Sequence, residues 1–513
     1  MDQAFLYIAL GVYFAGMIFI GYRAYKKTSG HEGYMIAGRG LPPWVAALSA
    51  GASDMSGWLI MGLPGAIYVA GLIEGWIAVG LTLGAYLNWK LVAPRLRAYT
   101  QVSKNSITLP SYFENRLRDK SRLLRIVSSV IILVFFTLYV SSGMVAGGVF
   151  FESAFDSTYI IGMIIVTVVT LTYTLFGGFL GSSMTDVAQG IMMLIALIIV
   201  PVAAVIAVGG PAEATALVRQ LEPSHFDVFG GTGLTSATII GVLSGLAWGL
   251  GYFGQPHIVV RFMAMRSPHD AKAARRIGIS WQIVSLIGAV IAGLIGIAYV
   301  SQNNIDLGDP ETIVLMMSQA LLHPLIAGLV LAAVLAAIMS TFSSQLIVCS
   351  SALVEDVYRG LKKNPPSEKQ LVLLGRLCVL GVALIAALLA INPNDTILGL
   401  VSFAWAGFGA SFGPIILLSL FWRKLTNWGA LAAMVMGSVT VFVWDALAKI
   451  EDGPVIFSLY GLLPAFILAM LTAVVVSLAT YKPNGEIEEE FTETGTLVAV
   501  GKPGDTGATD VKS

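Results

Sequence analysis

A carboxylate among small residues inside an otherwise apolar run can bind an ion, and Asp54 is such a group. It stands in ALSAGASDMSGW, Ala47 to Trp58. A charge at the centre of a bilayer costs ~2.5–3.5 kcal/mol on insertion scales, and a bound cation or polar solute is the usual reason to keep one. The glycine and serines beside it let a helix unwind, which frees backbone carbonyls to act as ligands. The chemistry expected here is capture and release of a small charged or polar solute.

Other residues carry the same kind of signal. Ser340 and Thr341 lie side by side in LAAIMSTFSSQ, Leu335 to Gln345, with Ala337 one turn earlier. Two hydroxyls and a freed carbonyl suit a hard cation such as sodium, although membrane serines and threonines also bond back to their own helix. A second glycine cluster, WGLGYFGQP, runs from Trp248 to Pro256, where aromatic rings flank a break. Asp186 in GSSMTDVAQG stands at the start of an apolar run, either as an acid favoured by the helix dipole or as part of a second, inner ion site or exit station. Arg39, in AGRGLPPW, is either a cytosolic anchor or a seat for an inner gate. His257 follows Pro256 and is a candidate for the inner half of a pathway; the other histidines read as surface groups. Metal-ligand spacing, a nucleophile elbow and a phosphate-binding glycine loop are all missing from the sequence, so the chain does not read as an enzyme and calls for no cofactor.

The elements that position these residues are membrane helices. The chain has 513 residues, 56% hydrophobic and 12% charged, against about 25% charged in soluble domains. A formal net charge of zero argues against a nucleic-acid partner. Cys349 and Cys378 sit in apolar spans and read as buried structural thiols. The first apolar run, Phe5 to Gly21, has no basic residue before it and no small-residue cleavage site after it, so it reads as a retained span rather than a signal peptide.

A span needs about 20 apolar residues. On that ruler the sequence predicts 13 spans, near 4–24, 42–73, 76–96, 124–152, 159–178, 185–209, 236–260, 278–300, 324–358, 371–391, 396–421, 428–449 and 456–480. With the N-terminus outside, nearly all of the 30 Lys and Arg fall inside, and only Arg219 and Lys449 fall outside. The positive-inside rule therefore predicts an N-out, C-in topology. The outer loop from Gly210 to Ser236 is expected to carry a short helix and Ser111–Arg122 a cytosolic surface helix. Residues 1–480 form one transmembrane domain, and 481–513 a disordered cytosolic tail. The glycine-broken second and seventh spans start five spans apart, so they cross in opposite directions. This predicts inverted halves, about 42–209 and 236–421, around a midplane site.

Taken together, ALSAGASDMSGWLIMGLPGA, WGLGYFGQPHIVVRFMA, AAIMSTFSSQLIVCSSA and VSFAWAGFGASFGP resemble the sodium/solute symporter family, in particular its bacterial proline carriers. The resemblance runs from about Gly11 to Thr480. It implies an all-α polytopic fold of 13 helices with a five-plus-five inverted repeat of the leucine-transporter type. It also implies import of L-proline across the plasma (inner) membrane, with Na+ as coupling ion. The implied sodium site comprises backbone oxygens of Ala52, Met55 and Ala337 and hydroxyls of Ser340 and Thr341, with Asp54 as a nearby carboxylate. The implied proline pocket comprises Ser56, Gly57, Tyr139, Trp248, Tyr252, Gln255 and Pro256. Some relatives pair an aspartate like Asp186 with serines at the places of Ser343 and Ser344, which makes these three a candidate second sodium site. Carriers of pantothenate, sugars or acidic sugars, proton coupling, a solute sensor and a sodium channel are the alternatives. The broken helices hold no basic residue that would suit a multiply anionic solute, and the short tail leaves no room for a signalling domain.

Overall fold

A computed structural model of the chain describes residues 3–27, 33, 35–231, 233–359, 367–393, 395–450 and 453–499. These residues are almost wholly helical, with one isolated β-bridge, Leu41 to Met265. Ten of the helices are long and apolar enough to cross a membrane, and one bent pair raises the number to eleven.

The chain opens with α1 (Gln3–Lys27). A 3-10 turn at Ala37–Arg39 leads to α2 (Pro43–Asp54), started by Pro43 in its first turn, where proline lacks no needed N–H. α2 stops at Met55. A π-helical turn (Trp58–Gly62) and α3 (Leu63–Ala70) follow on an axis bent by 63°. Next come α4 (Gly75–Leu87), a π-helical turn at Asn88–Val92 and α5 (Ala93–Val102). Then follow α6 (Leu109–Arg116), α7 (Leu123–Phe155) and α8 (Tyr159–Ala207). Gly178, at φ 56°, interrupts α8; this backbone conformation favours glycine and separates two of the runs expected from the sequence.

The loop from Gly210 to Ser236 does carry a helix, α9 (Pro211–Leu221). The second broken span is α10 (Ser236–Gly251), a 3-10 turn at Tyr252–Gly254, and α11 (Pro256–Met263). The rest is α12 (Asp270–Gln302), α13 (Ile313–Leu321), α14 (Pro324–Ser351), α15 (Glu368–Ala390), α16 (Ile397–Phe421), α17 (Asn427–Ala448), α18 (Leu462–Thr480) and α19 (Gly485–Ala499). Side-chain oxygens of Thr235, Ser367, Thr396 and Thr426 cap α10, α15, α16 and α17.

α14 is the axis of the molecule. It is buried along most of its length and packs on α1, α2, α7 and α8. α4 and α10 meet through glycines one turn apart, Gly80 and Gly84 against Gly245 and Gly249. A Cβ on Gly80 would lie 2.5 Å from the Gly245 carbonyl oxygen, and one on Gly245 2.6 Å from the Trp76 Cβ.

Three expectations need correction. Residues 485–499 of the expected disordered tail form α19, because Phe491 gives that helix an apolar anchor. It sits edge-on to Tyr99 and beneath the guanidinium groups of Arg116 and Arg423. Arg118 pairs with Glu486 and Glu490, and Arg423 with Glu488. The tail beyond 499 lies outside the described residues. The expected surface helix Ser111–Arg122 is the shorter α6, and Leu109, Tyr112, Phe113 and Arg116 are buried. His225, expected at the surface, is 6% exposed and lies against the Tyr68 carbonyl. The two cysteines are free thiols, Cys349 buried and Cys378 half-buried.

Candidate functional site

Where α2 ends, the Ser56 N–H turns to the Asp54 carbonyl at 3.0 Å rather than to Ala52, the partner that a continuing helix would supply. The freed Ala52 oxygen accepts from Ser340 Oγ on α14 at 2.7 Å. The same hydroxyl lies 3.0 Å from the Ala337 carbonyl. Thr341 Oγ1 is 3.5 Å from Ala52 O and 3.4 Å from Ala337 O. Four buried oxygens from two helices thus cluster at the break, all uncharged, which is a donor set suited to a hard cation. The Met55 backbone leaves the helix at φ −83°, ψ 83°. Met55 is brought to the break, but its carbonyl takes no hydrogen bond from these hydroxyls.

The Asp54 carboxylate faces the other way. Tyr252, in the break between α10 and α11, donates its hydroxyl to Asp54 Oδ2, and Gln282 on α12 donates to that hydroxyl at 3.0 Å. Asp54 Oδ1 is buried without a hydrogen-bond partner. The Asp54 carbonyl receives Trp58 Nε1 at 3.2 Å and the Tyr139 hydroxyl at 3.4 Å. The two breaks are therefore linked through Asp54 and Tyr252, and Tyr139 joins them from α7.

Aromatic rings close around this link. Trp248 lies 6.1 Å from Trp58, 6.4 Å from Trp405 and 5.3 Å from Tyr460, centroid to centroid. Tyr252 stands edge-on to Trp405 at 5.2 Å. Gln255 donates to the Trp405 carbonyl at 3.0 Å and leaves its own Oε1 buried and unpartnered. Ser56 and Gly57 lie at the end of α2, and Ser56 Oγ accepts from Trp58 N at 3.4 Å. Pro256 starts α11 and is buried, and His257 beside it is buried against Phe136 and Tyr139. Asp54, Trp58, Tyr139 and Trp405 are 1% exposed and Tyr252 4%, so these side chains are closed off from solvent.

Trp58, Trp405, Tyr460 and Gln282 are missing from the sequence-derived pocket. Trp58 and Trp405 stand inside motifs already singled out, which was an available signal. Gln282 is a lone amide in an apolar helix. For Tyr460, near the last span, the sequence offers no signal.

Below the breaks, Arg261 on α11 pairs with Asp186 on α8 at 3.0 Å, and both are buried. Ser49 on α2 donates to Asp186 at 2.7 Å, and Ser182 lies 3.2 Å from Ser343 and 3.1 Å from Ser344. Arg39 is partnered on several sides: it donates to Asn105 at 3.0 Å, Thr100 at 3.1 Å, the Met263 carbonyl at 2.9 Å and the Ser106 carbonyl at 2.8 Å. With the Leu41 N–H on the Ala264 carbonyl and the Arg266 N–H on the Leu41 carbonyl, it ties the start of α2 to the end of α11.

On the opposite face, Glu311 accepts the N–H groups of Ile397 at 2.9 Å and Leu398 at 3.1 Å, capping α16. Burial pushes its carboxyl above the usual range, and these two N–H groups pull it back in part.

Residues 34–437 match the model of the sodium:solute symporter family. The chain belongs to that family. The high-affinity proline transporter PutP of Bacillus subtilis is 53% identical over 93% of this chain and 98% of its own length. A sodium/proline symporter of Staphylococcus aureus is 50% identical over 96% of each chain. In fold, this symporter is similar to a Na+-coupled sialic acid symporter solved substrate-bound and outward-open. That structure has a TM-score of 0.77 and 21% identity, covering 92% of this chain and 98% of the other. This symporter is thus a multi-pass integral membrane protein, helical through nearly all of its described residues, and its relatives are transporters.

Proposed function

We propose that this symporter imports L-proline with Na+ across the plasma membrane by alternating access. The four-oxygen cluster of Ala52, Ala337, Ser340 and Thr341 carries the proposal, because it joins a broken helix to the central α14. Sodium would sit there, with Met55 completing the set once the break relaxes around the ion. Proline would lie against Trp248, Tyr252 and Tyr139, its ring on their faces. Its carboxylate would meet the N–H groups that restart the helix after Ser56 and Gly57. Gln255 Oε1 and Asp54 Oδ1, buried and unpartnered, are acceptors for its ammonium group. Pro256 borders the pocket from below.

Coupling follows from shared parts. Sodium between α2 and α14 orders the Asp54–Ser56 break, and that break is one wall of the proline pocket. Each solute therefore raises the affinity of the other by the same factor. The membrane potential adds ~2.3 kcal/mol per charge per 100 mV.

The Tyr159–Leu175 helix is apolar, and α4 with its π-turn is long enough to cross. Counted with the bent pair, they support 13 spans within a single domain, 1–480. The opposed breaks support the inverted halves 42–209 and 236–421, and the placement of basic residues supports N-out and C-in. Arg39 is the inner-gate clamp.

Labelled L-proline uptake into proteoliposomes under a sodium, potassium or proton gradient tests the function. Uptake driven by sodium alone is expected. Absence of uptake by folded protein under every gradient would refute proline as the solute.

A further inference from the structure

Away from the broken helices, α4 and α12 pack together and leave between them a groove of about 540 Å3, a size within the roughly 300–1,000 Å3 of ligand pockets. Val79 and Leu83 on α4 and Ile283 and Ile287 on α12 line it, and buried Leu286 lies between them. Trp76 and Val228 line it as well, joined by the Trp76 Nε1, which donates to the Val228 carbonyl at 2.9 Å. Leu83 and Ile287 are each 54% exposed, so protein does not cover the groove. In a membrane protein, an apolar groove left open between helices takes hydrocarbon.

A pair of cations stands beside it. Tyr86 follows Leu83 by one turn on α4, which makes the two neighbours on the helix surface. Lys90 Nζ lies 5.8 Å from the Tyr86 ring centroid, and the Arg275 guanidinium, from α12, lies 5.2 Å from it. One ring thus carries a positive charge from each helix. Neither cation has a carboxylate partner among the described residues. Lys90 also falls within the span 76–96 expected from the sequence, where a charge is costly and needs a reason to be kept.

We propose that this groove and its two cations bind one anionic phospholipid. A chain lies along Leu83 and Ile287, and the headgroup phosphate meets Lys90 and Arg275 beside the Tyr86 ring. Charge complementarity selects this occupant. A zwitterionic lipid offers the same chain but brings a further cation to Lys90 and Arg275, and free phosphate offers the charge without a chain. Basic groups between membrane helices hold such headgroups, each Lys or Arg contributing about fivefold in affinity. Gln282, the neighbour of Ile283, donates to the Tyr252 hydroxyl, and α4 meets α10 at the glycine seam. The lipid therefore bridges the helix that supports Tyr252 and the helix that backs α10.

The test is photolabelling of the full-length protein in phosphatidylcholine nanodiscs. The probes are trace phosphatidylglycerol with a diazirine in one acyl chain and phosphatidylcholine with the same chain, and labelled peptides are mapped by mass spectrometry. Phosphatidylglycerol is expected to label the α4 and α12 peptides about 25-fold more than phosphatidylcholine does. Lys90→Gln and Arg275→Gln should each cut that preference about fivefold, and Lys90→Arg should keep it. Ile287→Trp, which fills the groove, should lower labelling by both lipids. All three positions are at least partly exposed, so the variants should fold. Equal labelling of wild type by the two lipids would overturn the proposal, whatever the variants do. So would a preference unchanged in the folded double variant Lys90→Gln with Arg275→Gln. Crosslinks between two chains through α4 and α12, without lipid label there, would assign the groove to a second copy and also overturn it.

Discussion

Ser340→Ala removes a hydroxyl that bridges the Ala52 carbonyl at 2.7 Å and the Ala337 carbonyl at 3.0 Å. In the proposed sodium site the same oxygen would turn its lone pair to the ion, so the variant would lose one ligand of a charged species. Hydrogen bonds to charged groups are worth about 1.5–3 kcal/mol, and each 1.4 kcal/mol is tenfold. The sodium concentration for half-maximal uptake should therefore rise about 10- to 150-fold. Thr341, whose hydroxyl stands 3.4–3.5 Å from both carbonyls, should show a smaller rise on change to Ala. Proline half-saturation at saturating sodium should stay near that of wild type, because no part of the aromatic wall has changed. Below saturation, proline affinity should fall with sodium occupancy, as reciprocity requires. The assay is labelled proline uptake over a matrix of sodium and proline concentrations. Sodium half-saturation within twofold of wild type, in protein that folds and transports, would refute the placement of the ion.

The other expectations rest on separate contacts. Tyr252→Phe keeps the ring but strips Asp54 of its hydroxyl donor, so uptake should need more sodium while competition by proline analogues keeps its order; a reordered competition series would contradict this. Glu311→Gln weakens the cap on α16 by about 1–2 kcal/mol, and a cysteine placed at Leu398 should react faster with an impermeant thiol reagent. Gly80→Ala brings a methyl group within 2.5 Å of a carbonyl and should destabilise the fold by about 1–3 kcal/mol, read as a lowered Tm. Phe491→Ala removes the anchor of α19, and limited proteolysis should then cut within Gly485–Ala499.

Both broken helices are legible in the sequence, because glycines and serines interrupting an apolar run leave few ways to satisfy the backbone in lipid. Ser340 and Thr341 are legible for the same reason, as hydroxyls where lipid would require none. The direction in which Asp54 points is not, since it depends on which helix lies opposite, and Tyr252, itself held by Gln282, reaches it from far along the chain. Arg261 reads as a cytosolic anchor by charge counting alone. Its burial follows from Asp186, 75 residues away, and pairings at that range leave no local pattern. α19 escapes for a compositional reason: an acidic segment with one phenylalanine looks solvated until Arg116, Arg118 and Arg423 are brought to it.

The glycine seam between α4 and α10 has a mechanical consequence. Backbones in such close contact have no side chains between them to re-pack, so the two helices cannot slide or roll past one another without collision. α10 is thereby welded to α4, and any displacement of one would have to carry the other. The second half, α11, lies beyond the break at Tyr252–Gln255 and is fastened by its far end to the start of α2, so any movement within this span would have to turn on that break. The protein thus carries its own division into a stiff arm and a jointed one, drawn by the absence of four side chains.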